Sequence, residues 1–202
     1  MGNINICVAC DDNYAKYAGV VITSILSNSE DSTNLYFYIF DGGISKEHKN
    51  EILSLKNIKN CSINFVKINE EDFQEYQKVC THKYITIATY YRLKLASLLP
   101  NIHRVIYLDC DTVVNCDLTE LFNIPLTTEV FAGSHDIDKK TVEVNPTYVN
   151  AGVLVIDLDN MRQGLLEEKF LKYTQENFET IKCGDQTIIN EVCKGNIKVV
   201  DD

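Results

Sequence analysis

Short apolar runs alternate with amphipathic helical stretches along this chain, and that alternation narrows the fold more than any other feature. Asn5 to Cys10 is an apolar run closed by the polar cluster Asp11-Asp12-Asn13-Tyr14. Tyr17, Val20, Val21 and Ile25 then recur at helical spacing. Leu35 to Phe40 is aromatic and apolar, as a strand requires, and Asp41-Gly42-Gly43 turns the chain after it. Strand, helix and strand in that order predict an α/β fold with a mostly parallel sheet covered by helices on both faces. In such sheets ligands collect at the carboxyl ends of the strands. The loops after the first strand, at Asp109 to Thr112 and around Asp136, all follow strand-like runs and are therefore the places to look for chemistry.

The same reading extends along the chain. Ser45 caps a helix through about Leu55, with Glu47 in its first turn. Ser62 to Ile68 alternates as a strand. Glu70 to Val79 and Thr86 to Leu99 are expected helices, the second stopped by Pro100. Arg104 to Leu108, Val130 to Gly133, Ala151 to Ile156 and Ile197 to Val200 are further strands, with a helical turn at Leu118 to Phe122. Met161 to Asn177 reads as one helix and Asp185 to Val192 as another. The charged stretch from Ile137 to Tyr148 is either a lid or an exposed insertion. No Pro- or Gly-rich linker divides the 202 residues, so one domain spanning residues 1–202 is expected.

Arg104-Val-Ile-Tyr-Leu-Asp109-Cys110-Asp111 is an apolar run ending in two carboxylates. On a continuing strand Asp109 and Asp111 would share a face and Cys110 would take the other. Two such acids repel each other unless a cation lies between them, and hard oxygen ligands suit magnesium or manganese. A merely solvated acidic strand end is the competing reading. The formal net charge of -10 opposes nucleic acid or an acidic membrane as partner. It also means that any phosphate ligand needs local cations. Neither Gly-x-Gly-x-x-Gly nor Gly-x-x-x-x-Gly-Lys-Ser/Thr occurs, and Gly-x-Ser-x-Gly is also missing.

Eight cysteines without a secretion signal at the start point to reduced thiols, and Cys7, Cys10 and Cys110 read as small buried apolar residues. The Cys7–Cys10 spacing resembles a zinc or redox pair, but no second pair completes a site. No apolar stretch reaches transmembrane length. A cytoplasmic location is the expectation.

Five blocks now stand in order: Val8-Ala9-Cys10-Asp11-Asp12-Asn13-Tyr14, Tyr91-Arg92-Leu93-Lys94-Leu95, Tyr107-Leu108-Asp109-Cys110-Asp111, Asn150-Ala151-Gly152-Val153-Leu154 and Gly184-Asp185-Gln186. Together they resemble the retaining glycosyltransferases of family eight, which include bacterial lipopolysaccharide galactosyl- and glucosyltransferases and glycogenin. The resemblance implies a GT-A fold, a single nucleotide-sugar-binding domain, and transfer of glucose or galactose from a UDP-sugar to a saccharide acceptor. It implies manganese, or magnesium, as the metal. Bacterial lipopolysaccharide or another cell-surface glycan would be the product.

Carried over by position, Ala9, Asp11, Asn13 and Tyr14 resemble the group that holds uracil and ribose. Arg92 matches an arginine beside the donor sugar and diphosphate, with an exposed helix charge as its alternative. Asp109 and Asp111 match the metal ligands, and Cys110 lies between them in the donor-binding segment. Asp136 and Asn150 resemble groups on the sugar hydroxyls. Asp185 and Gln186 resemble the pair at the anomeric carbon, with helix N-capping as the rival role for Asp185. Gln186 is a poor nucleophile, which favours front-face attack over a covalent intermediate.

The family's C-terminal His-x-x-Gly-x-x-Lys-Pro motif, which supplies a third metal ligand and a diphosphate lysine, does not follow Val200. A C-terminally shortened catalytic domain is therefore expected, with membrane contact possible only through the missing tail. Of the four histidines, His48 is expected on an exposed helix and His103 at the far end of its strand from Asp109; His82 and His135 stay open. A catalytically impaired UDP-sugar-binding module is the alternative function. A magnesium phosphohydrolase built on Asp109 and Asp111 is the third.

Overall fold

The computed structural model describes residues 2–79 and 86–200. The chain divides into two compact units: Met1–Ile68 with Val105–Ile124, and Asn69–Arg104 with Pro125–Asp202.

In the first unit, β1 (Asn3–Cys10) leads through α1 (Ala15–Asn28) into β2 (Asn34–Asp41), and α2 (Lys46–Ser54) returns the chain to β3 (Ser62–Lys67). The strand order is β3-β2-β1-β4, with β4 spanning Arg104–Leu108, and every pairing among the four is parallel. The β1–β2 register runs unbroken from Asn3↔Asn34 to Cys10↔Asp41. Alternating burial along β1 and β2 seats Ile4, Ile6, Val8, Phe37 and Ile39 in the core. α1 lays Ala18, Val21, Ile22 and Ile25 into the core; of the four residues whose spacing predicts this helix, Val21 and Ile25 are buried, whereas Tyr17 and Val20 are exposed. Ser45 caps α2 by accepting the His48 main-chain N–H at 3.2 Å. Because all four strands run the same way, the loops after β1, β2 and β4 emerge at one edge.

In the second unit β5 (Phe131–Gly133) pairs antiparallel with β6 (Val153–Asp157) and parallel with β7 (Ile197–Val199). Three helices follow β6 and precede β7: α3 (Leu158–Gln163), α4 (Leu166–Asn177) and α5 (Gly184–Val192). Asp157 caps α3 by accepting the Asn160 N–H.

Several expected helices take other forms. Thr86 to Leu99 is a 3-10 segment at Ile87–Lys94 followed by one α turn at Leu95–Leu98. β-Branched Ile87 and Thr89 and the pair Tyr90-Tyr91 are weak helix formers. The Thr89 carbonyl accepts a hydrogen bond from the Arg92 side chain. Glu70 to Val79 likewise splits into a 3-10 turn at Glu70–Phe73 and a single α turn at Gln74–Gln77. The expected helix from Met161 to Asn177 breaks at Gly164-Leu165, where α3 ends and α4 begins. The stretch from Ile137 to Tyr148 contains a helix at Lys139–Val144.

Leu165 sits in the left-handed region at φ 50° and is 57% exposed. That conformation costs a branched side chain about 1–2 kcal/mol. Leu165→Gly is expected to raise stability by about 0.5–1 kcal/mol, since glycine's extra unfolded-state entropy offsets part of the relief. Urea denaturation of the two proteins checks this, and a lowered midpoint is the contrary result.

Candidate functional site

In the first unit the polar loops are organised by main-chain geometry. The Asp11 carboxylate accepts the Tyr14 N–H at 3.0 Å, turning the chain from β1 into α1. The Asp41 carboxylate accepts the N–H groups of Gly43 and Ile44, with Gly43 at φ 102°, a turn that only glycine enters without strain. Lys49 on α2 pairs with Asp41 at 2.5 Å, and these contacts pull the Asp41 carboxyl below its ordinary range against the opposing effect of burial, the largest single influence. The Asp12 carboxylate accepts the Ser45 N–H at 2.7 Å and lies 2.7 Å from His48 Nδ1. Those hydrogen bonds, the Ser45 N–H foremost, lower the Asp12 pKa to about 2.

β4 ends at Leu108, so Asp109 and Asp111 do not continue a strand. Thr112 bonds back to the Asp109 carbonyl through both its N–H and its hydroxyl, at 3.2 and 2.8 Å. The two acids therefore flank a turn, and strand alternation does not set their directions. Asp109 is half-buried and Asp111 exposed. Cys110 turns inward as expected, its thiol donating to the Ala9 carbonyl at 3.3 Å, so its side chain is taken up by the fold. A hydrogen bond with Cys10 pushes the Cys110 thiol well above its ordinary value, aided by burial and by the charges of Asp109 and Asp111. Cys7 and Cys10 are buried as the sequence suggests.

Asp109 and Asp111 offer the hard oxygen donors that magnesium or manganese accepts, in the number such ions take when substrate phosphates fill the remaining positions. Among the described residues no group of three His, Cys, Asp or Glu side chains is arranged to hold a metal by itself. The donor set thus suits a cation shared with a phosphate ligand rather than a closed protein cage.

The second unit holds a connected polar cluster. Arg92, on the 3-10 segment, is 3% exposed, and Asp185, in the first turn of α5, is 4% exposed. Arg92 Nε lies 2.9 Å from Asp185 Oδ2. This is a contact of charges rather than a hydrogen bond, because the one Nε–H is donated to the Thr89 carbonyl at 3.0 Å. Arg92 Nη1 donates to the Ala151 carbonyl. The Ala151 N–H in turn donates to Gln186 Oε1 at 3.1 Å, and Gln186 Nε2 donates to Asp136 Oδ2 at 2.7 Å. Asn190, one turn after Gln186, grips both the N–H and the carbonyl of Val149. Tyr148 is buried, and that burial raises the pKa of its hydroxyl against the opposing hydrogen bonds with Gln186 and Thr187.

Four sequence-predicted residues, Arg92, Asp136, Asp185 and Gln186, thus meet in one cluster. Asn150 stands beside it, exposed, its carboxamide oxygen accepting the Gly152 N–H at 2.8 Å. The alternative of Arg92 as an exposed helix charge is overturned by its burial. The rival role of Asp185 as helix N-cap is also set aside: Cys183 occupies that position and Asp185 faces Arg92. Ala9, Asp11, Asn13 and Tyr14 lie together at the end of β1 and the turn into α1.

His48 is the residue that sequence reasoning missed, since it was expected on a free helix face. Its signal was faint: it lies three residues after the Ser45 cap, in a first turn that the Asp41 loop folds toward Asp12. His103 is 82% exposed and bonds to Asp159. His135 bonds through Nε2 to the Pro146 carbonyl. His82 lies outside the described residues.

The sequence profile of glycosyl transferase family 8 matches residues 5–202. The chain belongs to this family. It is 36% identical over 207 residues to a putative glycosyltransferase of Haemophilus influenzae, covering 98% of this chain and 62% of the relative. It is 30% identical over 202 residues to the lipopolysaccharide 1,2-glucosyltransferase of Escherichia coli K12, covering 95% and 59% respectively. The chain therefore spans about three-fifths of the length of these curated relatives. The crystal structure of the galactosyltransferase LgtC with donor and acceptor sugar analogues superposes with a TM-score of 0.87 at 28% identity, covering 98% of this chain and 73% of that one. The fold is GT-A, and the activity class of the family is glycosyl transfer. Among the described residues no helix is long and apolar enough to cross a membrane.

The buried pair gives a prediction for this family 8 chain. Asp185→Ala leaves a guanidinium buried without its counter-charge and is expected to cost about 3–5 kcal/mol. Arg92→Met with Asp185→Leu is expected to cost clearly less than the two single changes added together. Urea unfolding in a double-mutant cycle measures this, and strict additivity is the contrary result.

Proposed function

We propose that this chain carries the catalytic domain of a retaining hexosyltransferase that moves glucose or galactose from a UDP-sugar to a saccharide acceptor of a bacterial cell-surface glycan such as lipopolysaccharide. One observation carries the reading: Asp136, Gln186, Ala151, Arg92 and Asp185 form a continuous hydrogen-bonded and ion-paired cluster at positions matching the family's sugar and anomeric-carbon blocks. The relatives support the substrate class, one being named a lipopolysaccharide 1,2-glucosyltransferase and another a galactosyltransferase studied with donor and acceptor sugar analogues.

In this reading Asp11, Asn13 and Tyr14, with the main chain at Ala9, bind uridine, whose N–H and hydroxyl donors need oxygen acceptors. Asp109 and Asp111 are the seat for manganese or magnesium, which when bound would neutralise diphosphate charge as the leaving group departs. Asp136 and Asn150 take the sugar hydroxyls. The Asp136 carboxylate, oriented by Gln186, stabilises positive charge on the anomeric carbon as it becomes oxocarbenium-like. Arg92 is assigned a positioning role instead of a direct one on the diphosphate, because its Nε and Nη1 are engaged by Thr89 and Ala151. It holds Asp185 and, through Ala151, the Gln186 amide.

Gln186 lacks a nucleophilic oxygen of carboxylate strength, so retention follows from acceptor attack on the face that UDP leaves. The acceptor hydroxyl oxygen bonds to the anomeric carbon as the bond to the UDP oxygen breaks, and its proton passes to the departing diphosphate. UDP leaves without the prior protonation by an enzyme acid that an alcohol leaving group would need.

Calorimetry with UDP, UDP-glucose and UDP-galactose, with and without manganese, tests the binding half. Manganese is expected to tighten UDP binding to wild type, and Asp111→Asn is expected to forfeit about tenfold of that affinity, the scale of one charge-assisted contact. Binding indifferent to both metal and substitution would overturn the metal assignment. Sugar transfer and donor hydrolysis are measured in parallel, and Asp136→Asn is expected to slow both while sparing UDP affinity. UDP binding with neither reaction identifies a donor-binding module instead.

A further inference from the structure

The Asp11–Tyr14 loop is fastened by two kinds of contact. Asp11 closes the turn internally, through the Tyr14 N–H. Asp12, the next residue, reaches out of the loop to α2, where one oxygen receives both the Ser45 N–H and His48 Nδ1 at 2.7 Å. Ser45 Oγ accepts the His48 N–H, so carboxylate, cap and imidazole form one closed unit. His48 also borders a groove of about 450 Å³ between α1 and α2 that Lys16, Gly19, Val20, Glu51 and Leu55 line.

We propose that His48 is a positioning residue for the nucleotide: through Asp12 it fixes the Asp11–Tyr14 loop, more firmly as the imidazolium than as the neutral ring, so that donor affinity follows its protonation. This rests on the reading of that loop as the uridine site. His48 itself stands one contact away, on α2.

The charges around the imidazole support the direction. Asp12 faces it from the β1–α1 loop, Glu47 and Glu51 from its own helix, and Lys16 from α1 across the groove. Lys49 on α2 is taken up by Asp41. The Asp12 hydrogen bond, ahead of the opposing effect of solvent exclusion, raises the His48 pKa from 6.5. A raised histidine stabilises the folded loop fully below 6.5 and loses that contribution as pH climbs through the raised value. Asp12, lowered from 3.8 to about 2, contributes fully above 3.8 and loses its part as pH falls through about 2. The tether is thus at full strength on the acidic side of neutrality and loosens above it. With side-chain exposures of 45% for Asp12 and 36% for His48, solvent screening keeps the effect modest.

The test is UDP affinity in the presence of magnesium from about pH 6 to about pH 8.5, for wild type, His48→Ala and His48→Asn. The terminal phosphate of UDP also titrates near about pH 6. The reading is therefore the ratio of variant to wild-type dissociation constants at each pH. His48→Ala is expected to bind about threefold more weakly at about pH 6, with the ratio shrinking toward one at about pH 8.5. His48→Asn keeps a neutral donor but cannot titrate, so it is expected to bind with an affinity between those of His48→Ala and wild type at about pH 6 and to match wild type at about pH 8.5. A ratio of one throughout overturns the proposal, as does a ratio that does not change with pH.

Failure of wild type to bind UDP at any pH would instead overturn the uridine reading. Amide hydrogen exchange at Tyr14 and Ser45 then decides the tether by itself. Faster exchange in His48→Ala at about pH 6, with the difference lost at about pH 8.5, upholds it; equal exchange overturns it.

Discussion

The buried contact between Arg92 and Asp185 is the constraint around which the second unit is arranged. Neither group could be ionised at 3–4% exposure without the other, since desolvating a lone charge costs several kcal/mol. The pair alone does not offset that cost. The remainder comes from the neutral groups that complete the guanidinium's hydrogen bonds, the carbonyls of Thr89 and Ala151. Thr89 lies on the same 3-10 segment as Arg92, and Ala151 in the irregular stretch before β6. Both carbonyls that meet the guanidinium thus come from backbone that sequence propensity does not anticipate. Gln186 then inherits its position, bonded to the Ala151 N–H while the carbonyl of that residue is held by Arg92.

A different principle orders the first unit. Parallel pairing of β1 with both β2 and β4 delivers the ends of three strands to one edge, and Cys10↔Asp41 closes the β1–β2 register there. Five aspartates follow these strands: Asp11, Asp12, Asp41, Asp109 and Asp111. The fold manages this charge residue by residue. Asp11 spends its carboxylate on a main-chain turn, Asp12 is met by His48 and Asp41 by Lys49. Both partners come from α2, whose cap at Ser45 also bonds to Asp12. One helix therefore fixes two of the three loops.

Much of this was legible in the sequence because it depends on periodicity and short-range chemistry. β1, β2, the existence of α1 and the Ser45 cap follow from alternation, helical spacing and a capping residue. The five blocks in order gave the family, and four of their polar residues do converge in the second unit. What could not be read are features set by contacts distant in sequence. Arg92 is matched to the donor site and placed on a helix by its sequence, but nothing near it announces its buried partner Asp185, 93 positions later. The strand from Arg104 to Leu108 reads with its observed bounds, but in that reading the directions of Asp109 and Asp111 rest on strand alternation. In the structure Thr112 bonds back to the Asp109 carbonyl and sets the two acids on a turn. His48 was hidden for the same reason, its partner lying on another loop.

The turn after β4 is where these two principles meet the proposed chemistry. Cys110 is a neutral thiol held between two acids, and the fields of Asp109 and Asp111 contribute to raising its pKa. That effect places negative charge on both sides of the turn. A diphosphate could not approach such charge on a chain of net charge -10 without a cation interposed. The same charge that repels the bare ligand attracts a divalent ion, whose coordination shell has room for phosphate oxygens beside the two carboxylates. Two carboxylates on a turn, insufficient as a closed metal cage, are thereby suited to a cation that arrives with its substrate.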